Sequence, residues 1–155
     1  MSSQIQQRLI ALGIELPAMQ PTVANYVPAT FHRGVLTLSG QLPRTASGLV
    51  KGKVGGDMTV EQGVEAARLC GIALLAAAKV ALDGDLDRIE SCLTLGGFVN
   101  AVDDFEAHPQ VINGASDLIV DVLGDCGRHA RVALGVASLP LGAAVEVSAS
   151  FAVRD

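Results

Sequence analysis

Arg131 and Glu146, near the C-terminal end of the chain, are the residues whose types and setting best suit chemistry. A guanidinium is a planar fork of donors that matches a carboxylate. A glutamate nearby can position or activate a water. Together they suit hydrolysis of a small anionic substrate, although the same two residues could form a cross-strand pair that only stabilises a sheet. Residues 130–137 and 144–153, which must carry them, read as two strands joined through Ser138 to Ala143. Side chains alternate faces along a strand. Val132, Leu134 and Val136 therefore take one face and Arg131, Ala133 and Gly135 the other, while Val145, Val147, Ala149, Phe151 and Val153 oppose Glu146, Ser148, Ser150 and Ala152. The pattern predicts a hairpin whose bulky sets pack under helices and whose Arg131 and Glu146 reach one cleft from neighbouring strands. The face they share is rich in Ala, Gly and Ser, so something approaches it closely, and a second copy of the chain is the candidate.

Other constellations fall short. Cys126 and His129 lie close in sequence, but two ligands do not make the usual three or four of a zinc site, and no metal is expected. Asp83, Asp85 and Asp87 lack the glutamate that closes a calcium loop and read as a solvated turn. Gly55-Gly56 is followed by no Gly-Lys-Ser/Thr and is not a phosphate loop. His32 and His108 are expected to be exposed or capping. The three cysteines, Cys70, Cys92 and Cys126, are scattered and read as reduced thiols of a cytoplasmic protein, most of them core filler.

The positioning elements follow from periodicity. Ser3-Gln4-Ile5-Gln6 has the capping-box form, and Ile5, Leu9 and Leu12 recur at helical spacing before Gly13, predicting a short amphipathic helix over 4–12. Ile14 to Pro21 reads as a linker. Strands are expected over 24–33 and 35–42 with Gly34 in the turn, then a glycine-rich loop over 43–58 that holds a short strand near Leu49 to Val54. A second capping box, Thr59-Val60-Glu61-Gln62, opens a long helix to about Leu82. A third principal strand spans 89–99, with Gly96-Gly97 marking a bulge or the approach of another backbone. A turn over 104–108 precedes Pro109, and a helix runs from Val111 to Leu123. The order ββ-α-β-α-ββ predicts an α+β fold, two helices packed on one face of a mixed sheet. Residues 1–21 are read as the N-terminal helix and linker, and 22–155 as the main domain.

Composition narrows the function. The chain has 155 residues, 50% of them hydrophobic and only 17% charged, which suits a packed domain with surface hidden against another copy. A net charge of −5 and 3% aromatics with no Trp leave neither a phosphate footprint nor stacking platforms, so nucleic acid is a poor partner. The longest apolar run, Leu69 to Ala78, is too short to span a bilayer, and MSSQIQQRLIALG lacks the uninterrupted apolar core of a signal peptide.

The stretch His129-Ala130-Arg131-Val132-Ala133-Leu134-Gly135-Val136-Ala137-Ser138-Leu139-Pro140, followed by Val145-Glu146-Val147, resembles the C-terminal signature of the RidA/YjgF family: an Arg, a Pro nine residues on and a Glu six residues later. Asn25-Tyr26-Val27, Ser39-Gly40-Gln41-Leu42-Pro43 and Phe98-Val99 through Asp103-Asp104-Phe105 resemble further family segments in the same order. The resemblance implies a chorismate-mutase-like fold and a homotrimer with sites in the clefts between subunits. It also implies hydrolysis of reactive enamines and imines, such as 2-aminoacrylate, to 2-oxo acids and ammonia, with no metal or organic cofactor. By the resemblance, Arg131 clamps the substrate carboxylate, and Glu146 holds the attacking water. Tyr26, Ser39 and Gly40 shape the pocket, and the main chain at Ala133 meets the substrate nitrogen. Ala133 stands where members often carry Cys, Asp103 where many carry Asn, and His129 where Pro is common. Members also carry an endoribonuclease designation, which the acidic balance disfavours here. A non-catalytic trimer that binds a small metabolite or regulates a partner is the alternative.

Overall fold

The computed structural model describes every residue except Met1, Ser2, Gln20 and Val23; the expected linker over Ile14 to Pro21 therefore includes one residue, Gln20, outside the described set. Strands β1 (Ala29–His32), β2 (Val35–Gln41), β5 (Ile89–Asn100), β6 (Ala130–Val136) and β7 (Val145–Val153) form one mixed sheet in the order β1-β2-β7-β5-β6. All pairings are antiparallel except that of β5 with the edge strand β6. Helices α2 (Val60–Ala81) and α3 (His108–Leu123) pack on each other and on one face of the sheet, as the periodicity predicted. Phe151, Leu36, Leu74, Leu75, Leu95, Ile112 and Ile119 fill the space between the layers.

Local chemistry explains most boundaries. Arg33 and Gly34 adopt φ of 48° and 77°, the paired positive values of a tight hairpin turn, so β1 and β2 meet there. β1 starts only after Pro28, shorter than the 24–33 expectation, because a proline has no N–H to offer a ladder. Thr59 and Gln62 close a reciprocal cap at 3.1 and 2.9 Å on the first turn of α2. α3 begins at His108, earlier than expected, since Pro109 occupies a first-turn position whose N–H is not needed. Within 43–58 the chain makes a minimal hairpin, β3 (Arg44–Thr45) with β4 (Gly48–Leu49), and single bridges at Lys51 and Val54 instead of a strand over Leu49 to Val54. Within the chain, Gly96 and Gly97 make room for side chains. A Cβ on Gly97 would lie 2.6 Å from Ile112, and one on Gly96 would lie 2.8 Å from the Ser148 hydroxyl.

Two expectations about the C-terminal strands are corrected. They are not a hairpin: β5 lies between β6 and β7. The bulky set of β6 also does not face the helices. Leu95 of β5 is in register with both Arg131 and Ala149, and Leu95 and Ala149 are 1% and 4% exposed, so Arg131 lies on the helix-covered side. Val132 and Leu134, about half exposed, point to the open face. Alternation fixes which residues share a face but not which face is the core, and β6 is an edge strand where the helices only partly cover it.

Helix α1 (Gln4–Ala11) buries Ile5 and Leu9 in the same core. Asp87 is not an idle residue of a solvated turn. Its carboxylate accepts from the Ser3 hydroxyl at 2.8 Å and from the Gln4 and Ile5 amides at 2.9 and 3.0 Å, capping α1 from outside. Arg8 of α1 in turn donates to the Val122 carbonyl at the end of α3. Burial works to raise the Asp87 pKa, but the donors from Ile5, Ser3 and Gln4 and the charge of Arg154 outweigh it and hold the carboxyl below its ordinary value. Because the folded value is the lower one, the stabilisation is present above the ordinary carboxylate range and is lost as pH falls through the lowered value. Asp87→Ala is expected to lower unfolding stability by about 1 kcal/mol at neutral pH, as for other lost helix caps. Urea unfolding at neutral and acid pH checks it: the gap to the parent should close in acid, and a gap independent of pH would contradict the carboxylate's role.

Candidate active site

A β-bulge prepares one half of the site. Leu38 pairs with Ala149 and Gln41 with Val147, so β2 spends an extra residue around Ser39-Gly40 against β7. Gly40 comes to rest against Glu146, where a Cβ would lie only 2.6 Å from the carboxylate Oε1. Ser39 is tied to the preceding segment, its hydroxyl donating to the Val27 carbonyl at 2.7 Å and its amide to the Pro28 carbonyl at 2.9 Å. That pairing brings the Tyr26–Pro28 segment beside the bulge, with Tyr26 54% exposed.

Glu146 lies on the open face in a row that crosses the sheet. Phe98 of β5 is its direct partner, and Leu134 of β6 is the partner of Phe98. The carboxylate is half-buried beside these apolar side chains and, among the described residues, no donor reaches it. Burial pushes its pKa above the ordinary glutamate value. Beneath it on the core side, Cys70 of α2 donates weakly to the Val145 carbonyl, and burial, with the charge of Glu146 as a lesser cause, pushes its thiol far up. Cys92 is likewise pushed up to about 12 by burial first and by Cys126 second. Both are inert core thiols.

Arg131 is held elsewhere. Its guanidinium donates to the Ser116 hydroxyl at 3.0 Å and to the Pro109 carbonyl at 3.2 Å, both on α3. Ala133 packs against the core on the same side, and Gly135 lies under the His108 ring, which meets Phe105 edge-on at 5.0 Å. Within one chain, then, Glu146, Gly40 and Ser39 converge with the Tyr26 segment at hand, while Arg131 and Ala133 occupy the other face beyond β5.

Several neighbours escape a reading of the sequence. Phe98 and Leu134 become partners of Glu146 only through strand order. Ser116 touches Arg131 across α3 and carries no sequence signal. His129 does carry one: it lies two residues from Arg131, on the same side of the chain. Lys53 ties the 43–58 segment to the ends of β5 and β6, its ammonium donating to Asn100 Oδ1 at 2.8 Å and the Ala137 carbonyl at 2.7 Å. Among the described residues no group of three or more His, Cys, Asp or Glu could hold a metal ion, and no helix is long and apolar enough to cross a membrane.

A family model described as "YjgF/chorismate mutase-like, putative endoribonuclease" matches residues 6–152. The chain belongs to the YjgF family. It is 45% identical over 150 residues to protein TCP17 of Trypanosoma cruzi, covering 96% of this chain and 93% of that one. Atu1372 of Agrobacterium tumefaciens, a protein of unknown function, superposes with a TM-score of 0.90 at 46% identity over 97% of this chain and 93% of that one. An endoribonuclease-family protein of Shewanella oneidensis superposes with a TM-score of 0.92 at 33% identity over 98% and 100% of the two chains. The two solved structures superpose on this α+β architecture over 97% and 98% of the chain.

Proposed function

We propose that this YjgF-family chain hydrolyses reactive 2-imino and enamine acids to 2-oxo acids and ammonia without a metal. The observation that carries the reading is Glu146, a half-buried carboxylate with a raised pKa and no partner among the described residues, facing outward from an apolar row. Desolvated carboxylates of this kind are costly unless they act as proton acceptors or donors. Glu146 holds a water and accepts its proton as the oxygen adds to the imine carbon. The same proton then goes to the nitrogen to give the carbinolamine, and Glu146 carries the hydroxyl proton to that nitrogen as the C–N bond breaks, leaving the 2-oxo acid and ammonia. The water and imine carbon need orientation more than a strong nucleophile.

Arg131 binds the substrate carboxylate with the N–H groups that Ser116 and Pro109 leave open. Since Arg131 and Glu146 lie on opposite faces of one sheet, the proposed site is assembled between protomers of a homotrimer, the β6 edge of one meeting the Glu146 row of the next. The half-exposed Val132 and Leu134 on the open face support such a contact. Tyr26, Ser39 and Gly40 line the Glu146 side, and the Ala133 main chain lies two residues from Arg131. The reduced thiols suit a cytoplasmic setting.

Arg131→Ala is expected to cut kcat/KM at least about 100-fold for an imino acid made in situ by an amino-acid oxidase, the loss expected for a charge-assisted clamp, with the assembly intact by light scattering. Unchanged turnover would remove Arg131 from the site. Binding without faster ammonia release would favour the non-catalytic alternative. Salt-sensitive RNA cleavage with no imine turnover would favour the ribonuclease named in the family description, against the net charge of −5.

A further inference from the structure

Arg131 is the end of a hydrogen-bonded chain that begins at a backbone carbonyl. His129 Nδ1 lies 2.6 Å from the Gly127 carbonyl, which can only accept, so Nδ1 carries the proton. In the tautomer that carries its proton on Nδ1 alone, His129 Nε2 is an acceptor, and the Ser116 hydroxyl, 2.9 Å away, donates to it. With its proton committed to His129, the Ser116 oxygen turns a lone pair to Arg131 Nη1 at 3.0 Å. The Pro109 carbonyl takes Nη2 at 3.2 Å. In that tautomer the donor and acceptor sense of each link follows from the one before it; Ser116, His129 and Arg131 are partly buried, and Pro109 is exposed.

We infer that Ser116 and His129 are positioning residues for the carboxylate anchor. This rests on the proposed function, in which Arg131 meets the substrate. An arginine side chain is long and loses rotamer freedom when it binds. Here that freedom is already lost within the chain itself, because Ser116 and Pro109 hold Nη1 and Nη2, and the open N–H groups keep one orientation. A ligand then binds without the cost of ordering its anchor, which is how preorganisation raises affinity. Without His129 the Ser116 hydroxyl is released, and a serine inside a helix turns readily to the carbonyl one turn back. Arg131 then loses its fixed acceptor although nothing that touches substrate has been changed. His129 does this work by bridging the Gly127 carbonyl and the Ser116 hydroxyl with its two ring nitrogens, so its identity matters for a reason separate from metal binding.

The test compares the parent, Ser116→Ala, His129→Ala, Ser116→Thr and Arg131→Ala. KM and kcat are measured with 2-iminopropanoate made in situ from alanine, and the Kd for pyruvate by NMR titration, with melting curves as a check on folding. Expected are KM and Kd values raised about tenfold in Ser116→Ala and His129→Ala with kcat within about twofold, because a looser anchor weakens binding more than chemistry. Ser116→Thr keeps the hydroxyl and should bind within about twofold of the parent. If the parent binds pyruvate through Arg131 but Ser116→Ala and His129→Ala bind equally well, the positioning role is overturned while the proposed function stands. Equal losses in Ser116→Thr and Ser116→Ala would also overturn it, since the hydroxyl would not be the operative group. If the parent does not bind pyruvate, or if Arg131→Ala binds it as well as the parent does, the functional reading falls and the positioning role falls with it.

Discussion

Glu146→Gln is expected to lower imine hydrolysis by about a thousandfold while making the protein slightly more stable at neutral pH. The amide keeps the shape of the carboxylate and fits the same gap above Gly40, so packing should survive. What is lost is the ability to take a proton from water, which the mechanism needs in the transition state. The stability change follows from the raised pKa of Glu146, caused by burial. A carboxyl with a folded value above its unfolded value ionises more readily in the unfolded chain. Stability therefore falls as pH rises from the ordinary glutamate value through the raised one, and the whole cost is present above it. Glutamine removes that cost. Because the group is only half-buried, the gain should stay below about 1 kcal/mol. Melting curves should show the variant above the parent at pH 7 and equal to it near pH 4 or below. Opposite signs for activity and stability mark a residue kept for function. Activity within about threefold of the parent would remove Glu146 from the chemistry, and a lower melting temperature at pH 7 would show that the carboxylate is satisfied by a stabilising partner.

Gly114→Ala should have the largest effect on the fold itself. Gly114 faces α2 so closely that a Cβ would run into the Val64 carbonyl oxygen and come within 3.2 Å of the Arg68 amide. These are backbone atoms of a helix and cannot rotate aside. From the other side, Gly71 of α2 sits against Leu118 and Ala115, and Gly63 against Val111. The two helices must move apart to admit one methyl, breaking contacts along their whole crossing. Overpacking of this kind costs about 1–3 kcal/mol, enough to exceed the ~1 kcal/mol that alanine gains over glycine in a helix. Because the clash is with backbone that cannot rotate aside, the cost falls at the upper end of that range, and the net loss of about 2 kcal/mol corresponds to a melting temperature roughly 4–8 °C lower for a chain of this size. Calorimetry decides it: an unchanged or higher melting temperature would mean that the helices separate without cost. The same shift bears on the site, because α3 also presents Ser116 and the Pro109 carbonyl to Arg131.

The helix and strand content was legible because it depends on local chemistry. Thr59 and Gln62 announce α2, Gly34 announces the first hairpin, and the apolar stripe from Val64 to Val80 needs no partner to be recognised. Glu146 and Gly40 were legible as candidate site residues through family spacing, and the bulge that joins them was not, since a bulge appears only when two strands are paired. The solvated-turn reading of Asp87 failed for a similar reason: its three donors come from residues 3–5, more than eighty positions away.

By itself the sequence determined the elements, the sorting of each strand's side chains into two sets, the membership in the YjgF family and the presence of an arginine and a glutamate at the right separation. Only the tertiary structure decided that β5 inserts between β6 and β7, and that the set containing Arg131 turns toward the helices. The reason is that alternation is a local property with no sign. Strand order and the choice of buried face are set by contacts between residues far apart in the chain, where the parallel pairing of β6 with β5 and its edge position beside α3 hold Arg131 against Ser116 and leave Val132 and Leu134 to the open side.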